Sequence, residues 1–567
     1  MERAVIRVKE GWWEFRDPTE VLVATCIEEV LPQLEQAATS GSYAVGYVAY
    51  EAAGAFDSAL KTHTAENLPY LYFALFDAPI LHEVLPPSDQ SWQISSLEAQ
   101  EDESDFIAHI AAIKEQIAQG ATYQVNYTYP LKGEFEGDAY ALFTSLMAAQ
   151  EAPHAAYIQT EAWSIVSASL ELFFTLEDGQ LTSRPMKGTA ARGMYETLDR
   201  EQAAALSGSE KNRAENIMIV DMIRNDMGRI AQPGTVQTNQ TYALERYATL
   251  WQMTSTIQSR VSCGVVDVFR ALFPCASITG APKVKTMEII NRLERQPRSV
   301  YTGSVGYMTP QGDAAFNVAI RTAIIQQANR SITYGVGSGI VWDSDPILEY
   351  AETQIKASLL TTPEPPFSLL ESLLWTPQDR CALQEMHMAR MARSAAYFDI
   401  HFDQAKAQAL LDQVTGEGPL KVRLLLHQTG QLDLESAPLR PLSDAAVLQI
   451  KLASEPVNRA DRFLYHKTTH RHVYAAAEAE RIDCDEVILW NARGEITEGT
   501  IFNVVIEHEG RWITPPVSCG LLGGVAREKA LQEGRIEEAV ITRELFLQAA
   551  RIKLINSVRG WCDATII

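Results

Sequence analysis

Apolar and polar positions change period several times along this chain. Runs such as Tyr43-Ala44-Val45-Gly46-Tyr47-Val48 predict strands, in which successive side chains point to opposite faces. Ser104 to Gly120 predicts a helix that stops on a glycine. Lys211 to Asp226, apolar at its centre, predicts another. Leu348 to Leu360 predicts a third, with Leu348, Ile355 and Leu359 on one apolar stripe. The pattern breaks at Thr361-Thr362-Pro363-Glu364-Pro365-Pro366, where three prolines forbid a continued helix and favour extended, solvated backbone. A new apolar run starts at Phe367, and Asp485 to Asn491 reads as a strand and turn. The expected organisation is a first domain over 1–360, a linker over 361–366 and a second domain over 367–567. Strands and helices mix without a regular βαβ alternation, so the fold class is α+β.

Composition adjusts this picture little. A chain of 567 residues is too long for one hydrophobic core, which supports at least two large domains. Hydrophobic residues make up 46% and charged residues 21%, as in soluble globular proteins. The net charge of −24 argues against nucleic acid or an anionic membrane as partner. It also requires any anionic substrate to be met by local Arg and Lys. Seven cysteines without a Cys-x-x-Cys pair suggest neither a disulfide framework nor a zinc site. Met1 to Phe15 has no signal-type apolar core, and no apolar run is long enough to span a bilayer. A cytoplasmic location is the expectation.

Candidate chemistry in the first part starts with Glu349, Glu352 and Lys356, whose spacing puts all three on one helix face. Alone, Glu352 and Lys356 read as a solvated i, i+4 ion pair. They follow Tyr334-Gly335-Val336-Gly337-Ser338-Gly339-Ile340-Val341, a run that lets backbone approach a ligand closely but lacks dinucleotide-loop spacing. Glu215 sits near the start of the Lys211–Asp226 helix. It reads either as an acid favoured by the helix dipole or as one of the carboxylates that Mg²⁺ draws from separate elements.

Four ordered strings, Ala214 to Asp226, Phe273-Pro274-Cys275-Ala276-Ser277-Ile278-Thr279-Gly280-Ala281-Pro282-Lys283, Phe316-Asn317-Val318-Ala319-Ile320-Arg321-Thr322 and Glu349 to Lys356, resemble the chorismate-utilising enzymes. That family includes component I of anthranilate synthase and of aminodeoxychorismate synthase, and the isochorismate and salicylate synthases. The resemblance implies two stacked β-sheets flanked by helices. It implies Mg²⁺ held by Glu215 and Glu352 with Glu349 nearby, and substrate carboxylates met by Arg321, Lys356 and the backbone of Thr279 and Gly280. Glu171 matches the general acid for the departing C4 hydroxyl.

Two positions choose among family members. Water-adding members carry a lysine base where this chain has Gln124, which cannot deprotonate water. Lys187 stands where anthranilate synthases have a small residue; in aminodeoxychorismate synthases that lysine is a nucleophile at C2, with ammonia then entering at C4. Departures from the family pattern are Leu170 for proline, Cys275-Ala276 for a glycine-containing pair, uncharged Asn212, and no histidine in Leu250 to Met253.

In the second part, Lys467 closes a short apolar run, and Glu498 sits in a small-residue turn where an acid often only caps the next segment. The ordered set Met386-His387-Met388-Ala389-Arg390-Met391, Lys467, Glu498 to Asn503, Gly520 to Arg527 and Asn556 to Gly560 resembles class IV pyridoxal-phosphate enzymes, which include aminodeoxychorismate lyase and the D-amino-acid and branched-chain transaminases. By that resemblance Lys467 carries pyridoxal phosphate and Glu498 pairs with the pyridinium nitrogen. Arg390, Ser557 and the backbone of Val525 and Ala526 hold the phosphate. Gly523 and Ala526 replace the more usual Pro and Thr.

The fusion implies a route from chorismate and ammonia through aminodeoxychorismate to 4-aminobenzoate and pyruvate. Rival readings are an anthranilate-type synthase joined to a transaminase, a catalytically silent chorismate-binding or scaffolding protein, and a second part that acts as an independent transaminase. No Cys-His-Glu glutaminase module is evident, so a separate glutaminase subunit is expected to supply ammonia. Analogy with class IV enzymes suggests a homodimer through the C-terminal part.

Overall fold

The computed structural model describes residues 1–150, 152–247, 250–361, 367–439 and 447–567, and for Leu359 and Thr361 the backbone alone. The expected linker therefore falls, but for Thr361, outside the described residues. The chain divides into two compact units, Met1–Ala191 with Ala203–Glu364, and Arg192–Gln202 with Pro365–Ile567. The architecture is α+β in both.

The first unit contains two large antiparallel sheets. One runs from the edge strand Gly280–Ala281 through Gln124–Gly137, Ser331–Ile340, Thr322–Gln326, Trp163–Ser167, Ala156–Gln159, Arg3–Val8 and Gly11–Arg16 to Ile80–His82. The other runs from Met186–Ala191 through Leu250–Arg260, Gln180–Arg184, Leu172–Glu177, Ala314–Asn317, Ser304–Met308, Tyr43–Val48 and Leu71–Phe76 to Glu20–Ala24. Their inner faces share one core: Ala4, Ile6 and Phe15 from the first meet Val45, Tyr47 and Phe76 from the second. Val5, between Ala4 and Ile6, points the other way into the core under the helices Glu103–Ala118 and Ala139–Ala149. Both faces of these strands are covered, which is why apolar residues run nearly without interruption.

The strand over Tyr43–Val48 and the helices over 104–120 and 211–226 form where the pattern predicts them, as Tyr43–Val48, Glu103–Ala118 and Glu210–Gly228. The helix Pro346–Thr361 also forms, but its apolar stripe does not face the core: Leu348 is 70% and Ile355 71% exposed, and the side chain of Leu359 lies outside the description. Thr353, Ala357 and Leu360 are buried instead. Periodicity identifies a stripe, whereas the neighbouring sheet decides which stripe is covered.

In the second unit an antiparallel sheet, ordered Arg380–Cys381, Ser368–Thr376, Leu420–His427, Leu432–Pro438, packs Leu369, Leu373, Val422 and Leu424 against the helix Gln384–Tyr397. A mixed eight-stranded sheet runs Ile496–Gly499, Glu486–Trp490, Leu448–Leu452, Gly560–Ile566, Ile552–Asn556, Asn503–His508, Arg511–Thr514, Glu537–Glu538. An additional pairing of Glu498 with Asn503 closes six of these strands on themselves. Arg192–Gln202, assigned by sequence to the first part, is counted with this unit. Arg192 makes a buried two-bond ion pair with Asp199, stacks on the Tyr397 ring at 4.4 Å and donates to the Tyr397 carbonyl. Among the described residues no helix is long and apolar enough to cross a membrane.

Candidate active sites

Lys187 lies on the edge strand Met186–Ala191, whose register against Leu250–Arg260 shifts between Met186 and Thr189. Gly188 sits in this irregularity at φ 96°, a conformation that favours glycine, and the bulge re-aims the neighbouring side chain. Asn216, buried one residue beyond Glu215 on the Glu210–Gly228 helix, donates to the Lys187 carbonyl at 3.4 Å and accepts from Ser255 Oγ at 2.5 Å. The Lys187 side chain reaches Gly339 on the facing sheet. A methyl group at Gly339 would stand 2.9 Å from Lys187 Nζ and 3.0 Å from Gln124 Nε2. Burial lowers the Lys187 ammonium below its ordinary value; Glu215 and Glu171 oppose the shift and Lys356 adds to it.

Glu171 is buried, and burial pushes its carboxyl up to about 7, with Ser277 and Lys187 acting the other way. Its Oε1 and both amide atoms of Gln124 are buried without a hydrogen-bond partner among the described residues. Each such orphan costs about 1–3 kcal/mol. Glu171 feels the charge of Lys187, and Gln124 approaches the same stretch of backbone at Gly339 as Lys187, so a polar ligand beside Lys187 could meet these atoms.

Arg321 takes the left-handed conformation at φ 52° and donates to the Lys356 carbonyl at 2.8 Å. Lys356 in turn donates to the Gly337 carbonyl and pairs with Glu352 at 2.6 Å. Burial alone would raise the Glu352 carboxyl, but Lys356, then Lys187 and Arg321, hold it below the usual range. Glu349 accepts from Ser338 Oγ. Glu215 is raised by burial first, feels Lys187 and Lys211, and is pushed further by Glu349 and Glu352. It lies well inside its helix, whose first-turn acid is Glu210, so the dipole reading does not apply to it. No three His, Cys, Asp or Glu side chains among the described residues group tightly enough to hold a metal. The oxygen-rich set still suits Mg²⁺, which is commonly held by one or two carboxylates with substrate and water completing its shell. Thr279 and Gly280 are buried at the sheet edge, where Asn126 donates to the Thr279 carbonyl at 2.8 Å.

The glycine run serves the protein as much as a ligand: at Gly335 the space above the backbone is filled by the Tyr301 ring. A groove of about 270 Å³ near it is lined by Thr128, Lys132, Arg298, Tyr301 and Thr333, and contains neither Lys187 nor Gln124.

In the second unit Lys467 follows the short turn Arg462–Leu464, which Asp461 caps by accepting from the Phe463 amide. Leu370 of the Ser368–Thr376 strand donates to the Lys467 carbonyl at 2.9 Å, pinning its backbone. Burial, then Arg390, lower its ammonium to about 8, with Glu371 opposing and Arg471 assisting. Glu498 lies inside a strand and caps no helix. Its Oε1 accepts from Tyr474 Oη at 2.7 Å and from the Leu522 amide at 3.0 Å. Burial nevertheless raises it to about 7.

Arg390 is gripped by Glu371 through two hydrogen bonds of 2.8 and 2.6 Å, and donates its remaining arm to the Gly523 carbonyl at 3.1 Å. His387 Nδ1 lies 2.6 Å from the same carboxylate. Burial would raise Glu371, but Arg390 and His387 hold it at about 2. The helix Val525–Gln532 opens directly after Gly523-Gly524, leaving its first amides available to an anion. A side chain at Gly524 would collide with Asn503 Oδ1, whereas at Gly523 a methyl group would only touch Val517 at 3.8 Å. Ser557 Oγ donates to the Ser372 carbonyl at 3.3 Å. A buried lysine, a buried carboxylate, an oriented arginine and an open helix start suit pyridoxal phosphate, which has one aldehyde, one ring nitrogen and one phosphate. Sequence reasoning missed Glu371 and Tyr474. An acid among the leucines of Ser368–Thr376 was the available signal for the first; Tyr474 had none.

Fold and sites together define a chain of two enzyme-type units, a two-sheet sandwich with a lysine-carboxylate pocket and an α+β unit with a buried lysine beside an anion cradle. Residues 82–362 match the model of the chorismate binding enzymes, and 368–567 that of the class IV amino-transferases. The chain is 32% identical over 338 residues to anthranilate synthase component 1 of Methanothermobacter thermautotrophicus, covering 55% of this chain and 72% of that protein. It is 41% identical over 246 residues to aminodeoxychorismate synthase component 1 of Salmonella typhimurium, covering 43% and 54%. It spans between 37% and 54% of the length of the aminodeoxychorismate synthases of Streptomyces griseus, Salmonella typhimurium and Klebsiella aerogenes. The fold resembles that of anthranilate synthase component I from Streptococcus pneumoniae, with TM-score 0.53 and 21% identity, covering 63% of this chain and 92% of that one. The chain belongs to the chorismate binding enzymes of the anthranilate and aminodeoxychorismate synthase type, joined to a domain of the class IV aminotransferase family. Both assignments are consistent with the use of Mg²⁺ and pyridoxal phosphate typical of these families.

Proposed function

We propose that the chain makes 4-aminobenzoate in two steps. The first unit converts chorismate and ammonia to aminodeoxychorismate and water, and the second releases pyruvate from that product. The observation that carries this reading is Lys187, held against Gly339 beside Gln124 with its ammonium destabilised by burial. A lysine so placed has a larger neutral, nucleophilic fraction than an exposed one.

In the first step neutral Lys187 attacks C2 of the ring. Both ring double bonds shift, and the C4 hydroxyl leaves as water with the proton of Glu171, which near neutral pH is still partly protonated. Ammonia then adds at C4, both double bonds return, and Lys187 departs. Gln124 cannot activate water, which favours amination over hydration. Arg321, Lys356 and the backbone at Thr279 and Gly280 would anchor the substrate carboxylates. Mg²⁺, held by Glu215 and Glu352 with Glu349 beside them, would neutralise carboxylate charge.

In the second unit, pyridoxal phosphate carried by Lys467 supplies an electron sink. Arg390, Ser557 and the amides of Val525 and Ala526 would hold its phosphate, and Glu498 its ring nitrogen. Lys467, freed when the substrate's amine takes its place on the coenzyme, would accept the C4 proton; the C3–O bond then breaks, the departing enolpyruvyl group takes that proton to become pyruvate, and the aromatic ring left behind drives the step. A separate glutaminase subunit delivering ammonia, a homodimer through the second unit and a cytoplasmic location complete the proposal.

The test is to incubate the chain with chorismate, Mg²⁺, ammonium and pyridoxal phosphate and to identify the aromatic amine. 4-Aminobenzoate is expected. 2-Aminobenzoate would establish the anthranilate-type alternative instead.

A further inference from the structure

Residues 192–199 lie in the second unit, although the sequence pattern assigns them to the first part. This stretch closes tightly on itself. Asp199 accepts from Arg192 Nε at 2.7 Å and Nη2 at 2.8 Å, and from the Gly193 amide at 2.9 Å. A side chain at Gly193 would collide with the Asp199 backbone, so glycine is what permits the closure. Arg192 and Asp199 are both buried. A buried ion pair stabilises a fold no better than apolar side chains of similar volume, so its significance lies in the geometry it fixes.

Three contacts lead from this stretch to the groups that suit the coenzyme. Arg192 Nη2 also donates to the Tyr397 carbonyl at 3.1 Å, at the end of the helix Gln384–Tyr397. It thereby satisfies a terminal carbonyl and places a cation where the helix dipole favours one. That helix carries Arg390 and Ser394. The same guanidinium lies 4.4 Å from the centre of the Tyr397 ring, and the His466 ring packs 4.3 Å from the Tyr397 ring. His466 Nδ1 lies 2.9 Å from Ser394 Oγ, and Lys467 follows directly in the chain. Burial, then Arg462, hold the His466 imidazole at about 3, with Arg192 assisting and the Met194 backbone and Asp199 opposing, so it stays neutral next to Lys467. Finally, the Tyr195 and Tyr465 rings are 5.5 Å apart, and Met194 and Tyr195 pack on a cluster that contains Leu464 and Tyr474, the donor to Glu498.

We infer that Arg192 is a positioning residue of the coenzyme site: clamped by Asp199, it caps the helix of Arg390 and holds Tyr397 against His466, which fixes Lys467. The inference rests on the reading of Lys467 as the coenzyme's carrier and is indifferent to whether a lyase or a transaminase reaction follows. Arg192 acts on Lys467 only through Tyr397 and His466. Its loss should therefore loosen the lysine while every group offered to the coenzyme stays in the chain.

The experiment uses the full chain, titrated with pyridoxal phosphate and followed by the coenzyme absorption band, with amide hydrogen exchange as a second readout. Arg192→Met alone would leave Asp199 charged, buried and without its partner arginine, so the test variant is R192M/D199L, which replaces both charges by apolar side chains. It should bind pyridoxal phosphate about tenfold more weakly. Amides at 467–469 should exchange about tenfold faster. H466A, which leaves the Arg192–Asp199 pair intact, should shift both readouts the same way. Exchange in the strand Ile552–Asn556 should keep its wild-type rate; equal acceleration there would mean general loosening and would overturn the positioning role. Wild-type affinity and wild-type exchange at 467–469 in R192M/D199L overturn it as well, and if that variant does not fold, the same result in H466A does so. K467A separates the two readings. Loss of the band in K467A leaves Arg192 to be judged by the variants above, whereas a retained band sinks the carrier reading and the inference with it.

Discussion

Replacing Glu371 by glutamine removes the charge at the centre of the Arg390–Glu371–His387 cluster while nearly keeping its volume. The carboxylate is 2% exposed and accepts three short hydrogen bonds. Its depression from an ordinary 4.5 to about 2 corresponds to about 3 kcal/mol in favour of the charged form. Breaking a buried ion pair from one side costs about 3–5 kcal/mol. The two figures agree, so E371Q should destabilise the second unit by about 3 kcal/mol. The assay is hydrogen exchange of the Ser368–Thr376 strand, which reports this unit without interference from the other. Exchange in the cooperative core of that strand should accelerate about a hundredfold at neutral pH. Because the folded pKa lies below the unfolded one, the stabilisation is complete above about 4.5 and fades as pH falls toward about 2. The difference between wild type and E371Q must shrink over that window. Affinity for pyridoxal phosphate should fall too, since Arg390 loses the clamp that orients it. Exchange within about threefold of wild type would refute the energetic reasoning; unchanged coenzyme affinity would refute the role given to the clamp.

Gly339→Ala places a methyl group 2.9 Å from Lys187 Nζ, so amination of chorismate should fall at least about tenfold. Pyruvate release from supplied aminodeoxychorismate should be untouched, and equal loss of both would point to misfolding. Amination should decline as pH rises through about 7, where Glu171 gives up its proton. E171Q should lower the rate and erase that limb, and a limb that survives belongs to another group. Lys467→Ala should remove the coenzyme absorption band and pyruvate release while aminodeoxychorismate accumulates, as seen by chromatography. Continued formation of 4-aminobenzoate would detach Lys467 from the second step.

Much of this protein follows from local pattern. Helix periodicity alone places Glu349, Glu352 and Lys356 on one face, and the structure joins the last two at 2.6 Å. Alternation likewise finds Tyr43–Val48 as a strand. These features depend on neighbours a few residues apart, so backbone geometry suffices to predict them.

Other features needed the assembled chain. Which stripe of the Pro346–Thr361 helix is buried depends on the sheet beneath it, and Leu348 and Ile355 ended outside. The meeting of Lys187 with Gln124 over Gly339 depends on a bulge at Gly188 and on three strands distant in sequence. Glu371 is held by Arg390 on a packed helix, and Glu498 by Tyr474 and the closure of its strand onto Asn503, partners that local pattern does not show. Sequence by itself determined the element types and the chemical inventory, because both are set within a few residues. Tertiary structure decided which groups meet and how their protons are held, because register, burial and electric field come from contacts between remote segments.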